Sequence, residues 1–419
     1  MTSDLLPLAD GDTVCILGGG PGGAACAIAL KREAAKVGKN IEVVIFEQKK
    51  FSEHRQYNQC IGVLSPPLES ILLDNLEIRL PQRIILNEID RYCLHSDNEN
   101  LNLLGNAKER SLAVNRSKFD AFMLEQAKAS GAIVHHLRAT GIEFLEKSVM
   151  VYSEGKNVKA SVVVGAFGLD EGSCKIFEQD THYAQPGFLN TIITRISPGR
   201  EFLTSMGPVI HAFLLSNNGL EFGAISPKDD HISINIAGKK VSSKVMLDFL
   251  RSPQVQKFLP PHVRREKPLH YFKGKFPIEP AKHFYGHRYV TIGDASGLIR
   301  PFKGKGINTA SITAIHAAKT IIHHGVSHSA FKMYAKACKD MTDDLPYGRL
   351  LRRIANLSSH YRFMDYVLKI AEKNEKLMAC LFNSVSGHSS YKEIFRETAS
   401  VQLGFQMMRA FACRIVKGK

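Results

Sequence analysis

"DTVCILGGGPGGAACAIALKREAAKVGKNIEVVIFEQKK", residues 12–50, reads as strand, turn, helix and strand. Residues 13–17 (TVCIL) form a continuous apolar run, the pattern of a strand buried on both faces of a parallel sheet. Gly18, Gly20 and Gly23 then fit GxGxxG, residues 24–37 are alanine-rich and helix-prone, and EVVIF (42–46) supplies a second strand. The spacing has a mechanical reason. The first glycine permits a tight turn, the second lets a pyrophosphate approach the backbone, and the third lets helix and strand pack closely. The helix N-terminus turns unpaired N–H groups and the positive end of its dipole toward that pyrophosphate. Glu47, at the end of the second strand, stands where an acid accepts hydrogen bonds from ribose hydroxyls. These residues predict a dinucleotide site and leave open which dinucleotide fills it.

The whole chain has 419 residues, 44% of them apolar and 23% charged, which suits a globular protein with a sizeable core. A net charge of +15 is compatible with an anionic cofactor, an anionic membrane surface or nucleic acid. No basic arm or zinc-finger spacing accompanies it, so nucleic acid is not expected. Eight scattered cysteines without a CxxC pair point to reduced thiols and a cytoplasmic setting. "MTSDLLPLADGD" has no basic region followed by an apolar one, and no apolar run approaches the roughly 20 residues of a spanning helix. Membrane contact is therefore expected only as peripheral contact at the inner face. The adjacent pairs His135/His136 and His323/His324 diverge in regular structure, and no metal site is expected.

A second glycine-rich stretch, "GDASGLIRPFKGKGINTA", occupies residues 293–310. It resembles the second flavin motif of the large FAD-dependent family that includes aromatic hydroxylases and geranylgeranyl reductases: Gly293, Asp294, Ala295, Ser296 and Gly297, then Pro301, Gly304 and Gly306, then Ile307 and Asn308. The resemblance implies that Asp294 bonds the ribityl chain of FAD, while Gly304, Gly306, Ile307 and Asn308 bring a helix N-terminus against the flavin pyrimidine edge. Lys305 either adds charge there or points to water. Arg116 and Asp120, at the start of the helix-like segment 114–134, match the family's Arg-x-x-Phe-Asp pattern, which puts Arg116 near the FAD phosphates or ribose. One departure is plain. In "VVVGAFG" (162–168) Phe167 stands where the family has an aspartate that serves FAD and NAD(P)H binding in the hydroxylase branch. That departure weakens the expectation of NADPH as donor, and another external reductant is the alternative.

The reductase branch carries a Cys-Gly-Gly element after the first βαβ unit, and Cys60 with Gly62 resembles it, Ile61 intervening. By that resemblance Cys60 lies beside the flavin ring as a candidate catalytic group; the other reading is a buried structural thiol. "EFGAISPKDDHISINIAG" (221–238) reads as two strands, the second alternating Ile232, Ile234 and Ile236 so that one face is covered. Reductases carry Tyr-x-Trp-x-Phe-Pro here to line an isoprenoid tunnel. Phe222, Ala224 and Ser226 stand in those aromatic positions and Pro227 is kept, so a substrate-binding wall of different shape is implied. Residues 345–413 are helical and apolar-basic, and "VQLGFQMMRAFACRIVKGK" (401–419) suits an amphipathic helix, packed on the core or lying on an anionic bilayer.

Together these features imply an α/β fold: a Rossmann-like FAD-binding domain of the glutathione-reductase and para-hydroxybenzoate-hydroxylase type, an inserted β-rich substrate domain and a helical C-terminal tail. The expected divisions are 1–66, 105–175 and 280–325 for FAD, 67–104 and 176–279 for substrate, and 326–419 for the tail. The implied function is reduction of carbon–carbon double bonds in a long apolar isoprenoid or lipid substrate by hydride from reduced flavin. A flavin monooxygenase of an apolar or aromatic substrate and a non-catalytic FAD-binding protein are the alternatives.

Overall fold

The structure is a computed structural model that describes residues 5–51, 60–104, 110–216, 219–260, 270–302 and 305–398. Its first layer is a six-stranded sheet in the order 285–286, 289–291, 162–165, 13–17, 42–46, 133–135. Every pairing in it is parallel except the hairpin of Tyr285–Gly286 with Tyr289–Thr291. Thr13–Leu17 pairs with Glu42–Phe46 on one side and Val162–Gly165 on the other, so it is the central strand, and residues 14–17 are buried. Its helix spans Pro21–Lys36, with Ala24, Ala25, Ala27 and Ala29 fully or almost fully buried. Small side chains on that face let it lie close to the Gly306–His323 helix, and a Cβ on Gly22 would meet Ala310 Cβ at 3.2 Å. The two glycine-rich motifs, nearly 300 residues apart in sequence, thus start two helices packed side by side.

The second layer is a seven-stranded sheet in the order 272–277, 188–196, 232–238, 222–227, 209–213, 91–95, 100–104. One face buries Ile192, Phe213, Ile225, Ile232, Ile234 and Ile236 under the helices Ser243–Arg251 and Pro253–Gln256. The alternation of isoleucines predicts one covered face, whereas every residue of Ile232–Gly238 is buried. The other face carries Ser233, Asn235 and Ala237, and it is closed too. Farther along that face, Tyr92, Leu94, Ile210 and Leu214 pack against the tail helices Met364–Glu372 and Glu375–Ser386.

A small sheet of Val63–Leu64, Ser111–Val114 and Ile85–Ile89 links the two layers. Tail helices Lys339–His360 and Tyr391–Thr398 pack near Pro301, where a Cβ on Gly348 would lie 2.8 Å from Pro301 Cδ. The seven cysteines among the described residues are free thiols. No helix among the described residues is long and apolar enough to cross a membrane.

Candidate active site

The first glycine loop is packed to backbone contact. Gly18 has a left-handed φ of +107°, and a Cβ on Gly23 would sit 1.9 Å from Gly18 O, so no larger residue fits at either position. Gly20 differs: it caps the Pro21–Lys36 helix with no side-chain cap, and a Cβ there would meet nothing within 4 Å. An open space therefore lies over unpaired helix N–H groups, with no acid in the first helical turn to compete for them. Glu47 braces this loop as well as facing it. Its Oε2 accepts from Gly19 N at 2.8 Å and its Oε1 from Lys49 N at 2.8 Å.

The second motif is braced from several sides. Thr313 Oγ1 accepts from Gly293 N at 2.9 Å, Ser296 Oγ donates to Gly293 O at 2.7 Å, and Tyr183 OH donates to Ala295 O at 2.9 Å. Asp294 has no side-chain hydrogen bond among the described residues. Burial pushes its carboxyl up to about 6, with Arg116 pulling the other way. A Cβ on Gly306 would lie 3.4 Å from Asp294 Oδ1, so the carboxylate stands at the N-terminus of the Gly306–His323 helix, which has no side-chain cap and no acid in its first turn. A partly buried acceptor without a donor among the described residues, with two uncapped helix N-termini nearby, fits a long ligand with phosphates at one end and hydroxyls along its middle. The residues present therefore fit FAD.

Sequence reading gave other residues of this region a freer role than they have. Lys305 is buried, and its Nζ donates to Pro66 O at 2.5 Å, holding the turn before the Leu68–Leu76 helix instead of pointing to water. Asn308 Nδ2 donates to Ser65 O at 3.0 Å in the same turn, and Ile307 packs against the main core. Gly304 and the 401–419 segment lie outside the described residues. Phe167 turns back into the core, its ring 4.9 Å from Phe177 and 6.0 Å from Tyr183. The family's acid is thus replaced here by a packing residue.

Arg116 opens the helix Arg116–Ala129, with Asn115 as its cap. Its Nε donates to buried Asp120 Oδ1 at 2.7 Å, and its guanidinium also reaches the Cys60 thiol. Burial alone would lower the Arg116 pKa, but its partners Asp120 and Cys60 outweigh it and keep the guanidinium protonated.

Lys228 completes this cluster, and only its place beside Pro227 distinguished it in the sequence. It is 4% exposed, and its Nζ donates to Gly62 O at 2.8 Å and Val114 O at 3.3 Å. Burial pulls its pKa down from 10.5 to about 8, with Cys60 acting in the opposite sense and Arg195 adding to the drop. The ammonium thus ties the end of Phe222–Pro227 to the Cys60–Gly62 turn, where Gly62 N donates to Cys60 Sγ at 3.4 Å.

Phe222, Ala224 and Ser226 share the strand face opposite Ile225. Phe222 packs toward Phe276 with ring centroids 6.1 Å apart, while Ala224 and Pro227 are buried. On the same face, Ser226 Oγ and Asn235 Oδ1 are buried without a hydrogen-bond partner among the described residues. The wall is small and polar where the reductases' pattern is aromatic. Asn235 carries no sequence signal of its own, because the isoleucines with which it alternates mark only the opposite face.

One group of potential metal donors occurs among the described residues: Cys93, His95 and His211, on the opposite face of the sheet. His95 Nε2 and His211 Nδ1 lie 3.0 Å apart and satisfy each other, one donating and one accepting, within an aromatic cage of Phe213 and Phe258.

No protein-family model matches the chain. Among curated proteins it is similar to the digeranylgeranylglycerophospholipid reductase of Methanococcus vannielii, with 25% identity over 278 residues. That match spans 59% of this chain and 66% of the relative, just under two thirds of its length. Among solved structures it is similar to a geranylgeranyl bacteriochlorophyll reductase-like protein of Thermoplasma acidophilum (TM-score 0.66, 17% identity, 96% of both chains). It is also similar to a flavoprotein/dehydrogenase of Cytophaga hutchinsonii (TM-score 0.70, 16% identity, 97% of this chain and 100% of the other). A flavin-dependent brominase and a flavin-dependent halogenase share the fold as well. These likenesses show that the chain shares the fold of these flavoproteins, with its two glycine cradles at the ends of that sheet's strands.

Proposed function

We propose that the protein reduces carbon–carbon double bonds of a long apolar substrate, an isoprenoid or lipid, with FAD held between the two glycine motifs. Gly18, Gly20 and Gly23 would take the pyrophosphate, Glu47 the adenosine ribose, Asp294 the ribityl hydroxyls, and the Gly306 helix end the pyrimidine edge. FAD, once reduced by NADPH or another donor, supplies a hydride. The chain supplies what the cofactor cannot: a proton for the second carbon, and a wall that orients the alkene.

The observation that supports this reading best is the convergence of Cys60, Arg116 and Lys228. Alkene reduction needs an acid beside the reacting carbon. Lys228, with its pKa drawn down to about 8, carries a proton at neutral pH and gives it up more readily than a solvated lysine. Cys60, in contact with Arg116, is the group that passes it on, and Phe222, Ala224 and Pro227 form the adjoining wall. A monooxygenase is the second reading, favoured by the unpartnered Ser226 and Asn235 atoms, which suit a substrate with polar groups.

One experiment separates the two. Purified protein with chemically reduced flavin is incubated with isoprenoid lipids, with and without air, and substrate masses are followed. A gain of two hydrogens without oxygen supports the reductase. A gain of one oxygen atom, only in air, replaces it with the monooxygenase.

A further inference from the structure

The Lys339–His360 helix has two unlike faces. Leu345, Gly348, Ala355 and Ser359 are buried against the body of the protein. The outward side carries Tyr347 (36% exposed), Leu350 (47%), Ile354 (45%) and Leu357 (56%), with Tyr361 (60%) just past the helix end. Their spacing of three, four, three and four residues aligns them as one stripe, about 21 Å long at 1.5 Å per residue. A contiguous exposed apolar patch of this kind marks an interaction surface.

Charge narrows the choice of partner. Residues 346–362 hold four arginines and no acid; Asp340, Asp343 and Asp344 precede the stripe. Arg352 is turned inward, its Nε and Nη2 donating to Glu221 at 2.6 and 2.8 Å. Arg349 and Arg353 line a shallow depression with Pro346 and Leu350. Tyrosines at both ends, aliphatic side chains between them and guanidiniums along one edge match the profile of a helix lying in an anionic lipid interface. A second copy fits less well. A two-fold contact along this narrow stripe would bring Arg349 and Arg353 of both copies together with no acid within the segment to offset them.

We infer that this helix docks the protein on an anionic bilayer, with Leu350, Ile354 and Leu357 in the acyl boundary and Arg349 and Arg353 on lipid phosphates. The inner face of the same helix meets Pro301 of the second motif and, through Arg352 and Asn356, the carboxylate of Glu221, which adjoins Phe222. The docked surface therefore backs directly onto the proposed substrate wall.

The test is flotation of the flavin-loaded full chain with vesicles of phosphatidylcholine alone or mixed with phosphatidylglycerol. It needs no turnover, so its failure is distinct from failure of the proposed reaction. Binding is expected only to the mixed vesicles and weakens with salt. Arg349→Ala with Arg353→Ala lowers the partition coefficient about 30-fold, at about 1 kcal/mol per cation. Ile354→Ser with Leu357→Ser abolishes flotation while flavin content and circular dichroism stay unchanged. Absence of wild-type flotation overturns the inference, as does flotation indifferent to these exposed substitutions. Light scattering that shows the serine variant falling from dimer to monomer, with flotation retained, overturns it in favour of a second copy.

Discussion

Replacing Lys228 by methionine separates what this side chain does for the fold from what it does for the chemistry. In the folded protein burial draws its pKa down from 10.5 to about 8. Between those values the unfolded chain holds the proton and the folded chain has lost it. Stability therefore rises with pH across that window, and below about 8 the buried ammonium is a liability. The full shift corresponds to about 3 kcal/mol, and the part traversed between pH 7.5 and 10 to about 2 kcal/mol. Methionine removes this titration and keeps most of the packing volume. It leaves Gly62 O still accepting from Val114 N at 2.8 Å, so only part of the hydrogen bonding is lost.

Urea unfolding of both proteins at pH 7.5, 9 and 10, at equal flavin content, isolates the effect, because all other groups titrate alike. Wild type gains about 2 kcal/mol on Lys228→Met from the lowest pH to the highest. Turnover moves the other way: the variant is slow throughout, and wild-type kcat falls as pH rises through about 8. Stability curves that run parallel across the range refute the argument, since they would mean that Nζ is solvated and is not the dry ammonium described above.

Four further outcomes follow from the site. Asp294→Ala lowers the flavin content of the purified protein. In the flavin-free chain Asp294→Asn raises Tm at pH 7, because it removes a carboxylate that burial makes costly above its unfolded value of 3.8; thermal scans and absorbance check both. Gly23→Ala destabilises by at least about 3 kcal/mol or prevents folding, since its Cβ meets Gly18 O at 1.9 Å, and an ordinary melting curve with full flavin would contradict the packing. Cys60→Ala leaves flavin bound and slows turnover; single-turnover rates equal to wild type would make the thiol a packing residue.

The first βαβ unit was legible because its signals are local. An apolar run, three glycines at fixed offsets and an alanine-rich helix each follow from contacts within forty residues, and the structure has them as read. Residues whose partners lie far away in sequence were not legible. Lys228 reaches Gly62 across 166 positions and Lys305 reaches Pro66 across 239, and nothing near either lysine says that it is buried. Phe167 was noticed as a missing acid, yet its direction depended on Phe177 and Tyr183 being there to receive it. Asn235 was hidden by the isoleucines on either side, because alternation reveals one covered face and is silent about a second.

These distant contacts share a pattern that bears on how the site works. The Cys60–Gly62 turn is held by Lys228 from the substrate sheet and by Arg116 from the cofactor layer. The neighbouring Ser65–Pro66 turn is held by Asn308 and Lys305 from the second glycine motif. Four polar side chains from three separate parts of the chain thus converge on one short segment, and two of them are buried cations spent on backbone carbonyls. Burying a lysine is costly where an apolar residue would pack. Arranging it twice around one segment is reasonable only where the position of that segment matters. In the proposed reaction the thiol of Cys60 is what this segment contributes, and the second motif, the substrate sheet and the Arg116 helix together hold the segment that carries it.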